Sequence, residues 1–203
     1  MNLIIDSQYF ASVIYYKISY NSTNMLFEQC ETYQKMSFRN RCQIAGGEGI
    51  IDLSIPLAGG RDQKRLTKEV RVAEGRQWQA QHWKTIVSCY NRSPWFEYYR
   101  DGLEDLFRRR TGFLIDWNLL CFEWSLRALG MSKTAALTER YQERYEPEEG
   151  VDWRGKIVPK HRGEWPAVAY RQVFGERTGF IPNLSILDLL FCEGREAVKY
   201  IRS

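Results

Sequence analysis

Residues Asn2–Cys30 read NLIIDSQYFASVIYYKISYNSTNMLFEQC, and the folding of this stretch decides the architecture of the chain. LIID (Leu3 to Asp6) is a short continuous apolar run, the pattern of a strand buried on both faces. SVIYYKISYN comes next with helical potential, although its β-branched and aromatic residues count against a helix. NMLFEQC, Asn24 to Cys30, reads as a second buried strand. Strand, helix and strand in so short a span predict a βαβ unit, a parallel pair joined by a right-handed crossover.

Ligands of open α/β sheets bind beyond the carboxyl ends of parallel strands, and both expected strands turn polar there. The first gives Asp6, Ser7, Gln8 and Tyr9, the second Glu28, Gln29, Tyr33 and Lys35. These are candidate pocket residues, though any strand must also leave the core through polar side chains.

YQKMSFRNRCQI, Tyr33 to Ile44, reads as a further strand. Ser37, Arg39, Arg41 and Gln43 would share one face, and Met36, Phe38, Asn40, Cys42 and Ile44 the other. Arg39 and Arg41 would then lie ~7 Å apart, a separation that suits clamping a phosphate or carboxylate. The alternative is that each pairs with an acid on the neighbouring strand, Asp52 being a candidate. Asn40 on an apolar face must find hydrogen-bond partners, from the backbone or from a ligand. GIIDLSIPL lies across AGGEG, a hairpin signal, and RDQKRLTK is a charged connection before EVRVA, a possible last strand. The AGGEG glycines lie between two strands, which fits a turn better than a phosphate loop.

From Trp78 the period becomes helical. Trp78, His82, Ile86 and Cys89 form one stripe; Phe96, Tyr99, Leu103, Leu106 and Phe107 a second, with Ser93 as its expected cap and Pro94 in its first turn; and Trp117, Leu120, Cys121, Trp124 and Ala128 a third, ending at Gly130. Residues 144–165 show no period and read as a long irregular loop. NLSILDLLFCEG closes the pattern, with Ser185 and Asp188 as a capping-box-like pair.

Composition narrows the function. The 203 residues, 44% apolar and 14% aromatic, describe a globular chain with a real core. A net charge of +4 fits the handling of anionic small molecules and argues against nucleic acid, which favours a concentrated basic stripe. Five scattered cysteines and two histidines argue against a zinc site and favour reduced thiols in a cytoplasmic setting. No secretory leader or membrane-spanning run is expected, nor any metal or cofactor. His82 is either a satisfied core residue or a general base approached by Glu28 or Asp6. FRRR at a helix end reads as cations favoured by the helix dipole.

SQYFASVIYY, FEQCETYQKMSFRNRCQI, LSIPL, RQWQAQHWKTIVSCYNRSPWFEYY and FIPNLSILDLLFCEG together resemble the WbqC-like family in order and spacing. The resemblance rests on Gln8, Tyr9 and Phe10; on Tyr33, Lys35, Asn40 and Arg41; on Trp78, His82, Tyr90 and Pro94; and on Leu184, Ser185, Asp188, Leu189, Leu190 and Phe191. The chain departs from the family pattern at Ala11, where a proline is usual, and in ERYEPEEGVDWRGKIVPKHRGEW, which replaces a longer stretch. The resemblance implies a role in biosynthesis of bacterial surface polysaccharides such as O-antigen.

The expectation is an α/β (or α+β) chain forming one domain over 1–203. An N-terminal βαβ unit and a hairpin (1–75) would form a mixed sheet, and a mainly helical half (76–203) would pack on it. The first functional reading is a transferase modifying a nucleotide-linked or lipid-linked sugar. His82, Asp6 and Glu28 would be catalytic; Gln8, Tyr9, Tyr33, Lys35, Asn40, Arg41 and Arg39 would bind substrate, with Arg41 facing the ligand and Asn40 bracing the scaffold. The second is a non-catalytic accessory protein that docks through its aromatic helices.

Overall fold

The computed structural model describes residues 1–60, 62–75 and 77–202; Arg61, at the head of the expected charged connection, Arg76 and Ser203 lie outside the described residues. The first strand and its partner form as the apolar runs require. β1 (Asn2–Asp6) and β2 (Asn24–Glu28) pair in parallel, from Asn2 opposite Asn24 to Asp6 opposite Glu28. Helix α1 (Val13–Tyr20) makes the crossover. Leu3, Ile4, Ile5 and Phe27 are all but inaccessible to solvent, each side chain contributing about 1.5–3 kcal/mol by burial.

Two further strands, β5 (Ala135–Leu137) and β6 (Val151–Asp152), flank this pair, giving a four-stranded parallel sheet in the order β5-β2-β1-β6. Both were invisible to pattern reading because two or three residues are too few to carry a period. β6 lies inside the stretch expected to be irregular. Gly150 lets it approach β1, since a side chain there would meet the Asn2 carbonyl oxygen at 2.7 Å. The same stretch continues into a 3-10 turn over Pro159–Glu164.

The hairpin, β3 (Arg41–Gly46) and β4 (Gly49–Ser54), forms a separate two-stranded antiparallel sheet and does not extend the first one. The strand expected from Tyr33 starts only at Arg41. Residues 33–40 turn instead, because their polar groups find partners outside any ladder: Asn118 Nδ2 donates to the Arg39 carbonyl (2.8 Å), and Tyr9 N donates to that of Phe38 (3.0 Å). Arg39 and Arg41 therefore do not share a strand face. EVRVA contributes isolated bridges, Arg71 to Phe113 and Leu57 to Val72, and no strand.

The helical half keeps to its stripes. α2 (Gln77–Tyr90), α3 (Phe96–Arg108) and α4 (Leu114–Leu129) bury the apolar positions read from the sequence, Leu120 and Ala128 only in part, and α4 ends on Gly130 at φ 66°, the left-handed region glycine favours. Two caps differ from expectation. Ser93 lies outside α3 and donates its hydroxyl to the Tyr90 carbonyl, and Trp95 stands at the helix entry. After the single turn α5 (Gly175–Thr178), helix α6 (Ile186–Glu193) takes Ser185 as its cap, as expected. Asp188, though, turns its carboxylate away from the backbone to accept from Tyr90 and Tyr170 hydroxyls (2.6 Å each) and from Gln172 (2.9 Å). Helix α7 (Ala197–Arg202) then packs against α1. No helix among the described residues is long and apolar enough to cross a membrane.

Candidate functional site

The parallel register sets Asp6 beside Glu28 at the carboxyl ends of β1 and β2, with Thr138 next in line just after β5. All three are buried, Glu28 completely and Asp6 to within 1%. Glu28 accepts hydrogen bonds from Cys30 N (2.6 Å), Thr138 Oγ1 (2.9 Å) and Arg154 Nη1 (3.3 Å). Asp6 accepts from Arg39 Nη2 (2.6 Å) and from Gly155 N. Above this row opens a cleft of about 600 Å³, lined by Glu31, Lys35, Arg39, Asp152, Arg154 and Lys160 among others.

The two buried arginines have different roles. Arg154 uses every donor it has: on Asp152, on Glu28, and on the carbonyls of Gln142 and Glu143. Its guanidinium also lies over the rings of Tyr141 and Tyr145, 5.3 and 5.0 Å from their centroids. It is a fastener that ties 141–145 and β6 to β2. Burial would raise the Asp152 carboxyl, but this guanidinium outweighs it and holds Asp152 below the usual carboxylate range.

Arg39 is 1% exposed, and its Nη2 donates to both Asp6 and Glu31. Its Nε and Nη1 have no hydrogen-bond partner among the described residues, although both are buried. Orphaned donors of a charged group inside a protein are costly, and a ligand anion would satisfy them. Burial pushes the Asp6 and Glu31 carboxyls up, against the pull of Arg39. At the rim, Lys35 pairs with Asp62, while Lys160 makes no ion pair among the described residues.

Other expected site residues are placed elsewhere. His82 is buried in α2, its Nδ1 3.0 Å from the Tyr9 hydroxyl and its ring 5.2 Å from that of Trp78. Burial drops its pKa to about 4, against the opposing effect of a hydrogen bond to the Ser54 backbone, so it is a neutral imidazole that does not line the cleft. Tyr9 is fully buried as its partner. Gln8 donates to the Ile157 carbonyl (3.2 Å), tying the segment after β6 to the sheet. Tyr33 donates to Asn40 Oδ1, and Asn40 Nδ2 to the Ile55 carbonyl (3.0 Å each), so that amide is spent on the scaffold. Arg41 sits 3.8 Å from Asp52 and does not line the cleft.

Lys35 and Arg39 thus line the cleft, Asp6 and Glu28 lie sealed behind its wall against Arg39, Gly155 and Arg154, and His82, Tyr9, Tyr33, Asn40 and Arg41 are left outside. Sequence reading missed Glu31, Asp152, Arg154 and Lys160. Glu31 was findable, as it belongs to the same polar exit from β2 that gave Glu28 and Lys35. The other three sit in the aperiodic stretch, where no spacing marks them.

A second groove, of about 480 Å³, lies between the hairpin turn and residues 177–182. Its arginines have partners: Arg177 bonds Glu48, and Arg162 donates to the Pro182 carbonyl. The aromatic helices turn their rings inward. Trp78, Trp117, Trp124, Phe96 and Tyr99 are all buried, while Trp95 and Tyr98 stand out at 36% and 58% exposure.

A parallel sheet with a charged cleft at its carboxyl edge defines an α/β protein. The chain belongs to the WbqC-like protein family, whose model matches residues 6–160. That span runs from Asp6, behind the cleft wall, to Lys160 on the cleft lining. The chain is also similar to the "Uncharacterized protein Rv1507c" of Mycobacterium tuberculosis, with 26% identity over 199 residues, 84% of either chain. No solved structure matches it.

Proposed function

We propose that the chain binds an anionic sugar derivative in the carboxyl-edge cleft and acts as a transferase on a nucleotide-linked or lipid-linked sugar in surface-polysaccharide biosynthesis. The observation that carries this reading is Arg39, a buried guanidinium on the cleft wall with two unspent donors. Either donor would be satisfied by an oxygen of a phosphate or carboxylate. Lys160 and Lys35 at the rim would draw the anion in, and the Tyr141 ring beside them offers a face to a sugar or base. The biosynthetic setting comes from the family resemblance. The accessory-protein reading has less to support it, since most rings of the aromatic helices lie in the core.

The test is thermal stabilisation by a panel of nucleotide sugars, acyl donors and inorganic anions. A ligand at a hundred times its Kd stabilises by about 2.7 kcal/mol, roughly 5–11 °C for a chain of this size. A saturable shift that weakens in Lys160→Ala and in Lys35→Ala supports the cleft. Absence of a shift with every compound overturns the reading in favour of an accessory protein.

A further inference from the structure

We propose that Glu31 is the proton-transfer group of the cleft, holding one proton in common with Asp6 across the Arg39 guanidinium. The inference rests on the proposed transferase reading for its chemistry, and on geometry for the pair itself.

A single nitrogen, Arg39 Nη2, donates to Asp6 Oδ1 and to Glu31 Oε1. Two carboxylates on one cation carry a net negative charge into a site where Asp6 and Arg39 are each 1% exposed. The surrounding charges relieve it only in part, through the pull of Arg154 on Asp6. Glu28 stands beside Asp6 in the sheet and adds a further negative charge, and Arg154 is occupied by Asp152, Glu28 and two carbonyls. Lys35 is directed to Asp62. Like charges this close, in low dielectric, resist ionising together, so one proton stays with the pair. Burial acts in the same direction on both carboxyls.

The pair is asymmetric, which assigns the roles. Asp6 is fixed at the end of β1 by Arg39 and the Gly155 N–H and is sealed from solvent. Glu31 lines the cleft with 14% of its side chain exposed, and its Oε2 has no donor among the described residues. Glu31 Oε2 is therefore the oxygen that meets a ligand, with Asp6 as the positioning residue that tunes it. When an acceptor hydroxyl attacks the anionic donor, Glu31 takes the hydroxyl proton and the oxygen keeps that electron pair to form the new bond. The departing oxygen keeps the pair of the bond that breaks, its charge met by the Arg39 guanidinium on the cleft wall. Glu31 then returns the proton to that oxygen or to water, which restores the pair.

The test has two arms. In the first, carboxyl carbons of Glu31 and Asp6 are followed by 13C NMR against pH in the wild type, in Glu31→Gln and in Asp6→Asn. A shared proton requires both wild-type carbons to report the same two steps, and Asp6 to titrate in one step in Glu31→Gln. Independent one-step curves in the wild type, with Asp6 unmoved by Glu31→Gln, overturn the proposal. Glu31→Gln is isosteric and lies at the cleft edge, so it decides the matter even if Asp6→Asn does not fold. In the second arm, inorganic pyrophosphate binding is measured by calorimetry in buffers of different ionisation enthalpy. Proton uptake on binding is expected in the wild type and lost in Glu31→Gln. Equal uptake in both proteins overturns the assignment of Glu31. Failure of pyrophosphate to bind sinks the anion-cleft reading alone, since the first arm still decides the pair.

Discussion

Replacing Arg39 with methionine tests how the base of the cleft is held together. The substitution keeps an unbranched apolar stem and removes the guanidinium that lies between Asp6 and Glu31. Removing one partner of a buried ion pair typically costs about 3–5 kcal/mol, because the charge left behind stays buried and unpaired. At roughly 2–4 °C per kcal/mol for a chain of this length, the melting temperature should fall by about 6–20 °C at neutral pH. The loss must also depend on pH. Burial already raises the folded-state Asp6 carboxyl, and Arg39 supplies the largest opposing effect. Without Arg39 that carboxyl rises further. A carboxyl whose folded pKa exceeds its unfolded value contributes stability at low pH and loses it as pH climbs through the folded pKa. The deficit of Arg39→Met should therefore shrink toward pH 5 and be full at pH 8. Urea unfolding of both proteins at those two pH values, with unchanged slopes, measures it. A deficit below about 1 kcal/mol, or one equal at both pH values, would refute the buried-pair reasoning.

Groups outside the cleft give two further outcomes. His82 has a folded pKa of about 4 against about 6.5 unfolded, so its contribution is whole above pH 7 and drains away as pH falls between those values, by up to about 3 kcal/mol. His82→Gln should flatten that acid slope while leaving anion binding intact, as read by urea titrations at pH 7 and 4.5 and by calorimetry; loss of binding would place His82 in the site after all. Asp188→Asn weakens the acceptor shared by Tyr90, Tyr170 and Gln172 and should cost about 2–3 kcal/mol, with α6 exchanging its amide hydrogens faster. A change under about 1 kcal/mol would show that the network contributes little.

The sequence by itself determined the central pair of strands. LIID and NMLFEQC are continuous apolar runs, and only a strand covered on both faces buries such runs, so β1 and β2 and their parallel pairing were legible. The three long helices were legible for the equivalent reason at a period of 3.6, and the hairpin from its glycine turn. The position of Asp6 and Glu28 at the carboxyl edge was legible because parallel strands end there side by side, and that of Lys35 beyond it because the chain leaves the sheet on that side. The tertiary structure alone decided the rest. β5 and β6 exist because β1 and β2 offer unpaired edges to any short segment brought alongside, and a two-residue strand has no period of its own. Arg39 rather than Arg41 reached the cleft because Asn118 and Tyr9 bond the backbone of 38–39 and turn the chain before the ladder starts. His82 became a neutral core residue because folding brings Tyr9, in the turn after β1, against the face of α2 that carries Trp78 and His82. Arg154 arrived from a stretch without pattern, since a guanidinium is placed by carboxylates and carbonyls distant in the chain, which local spacing does not encode.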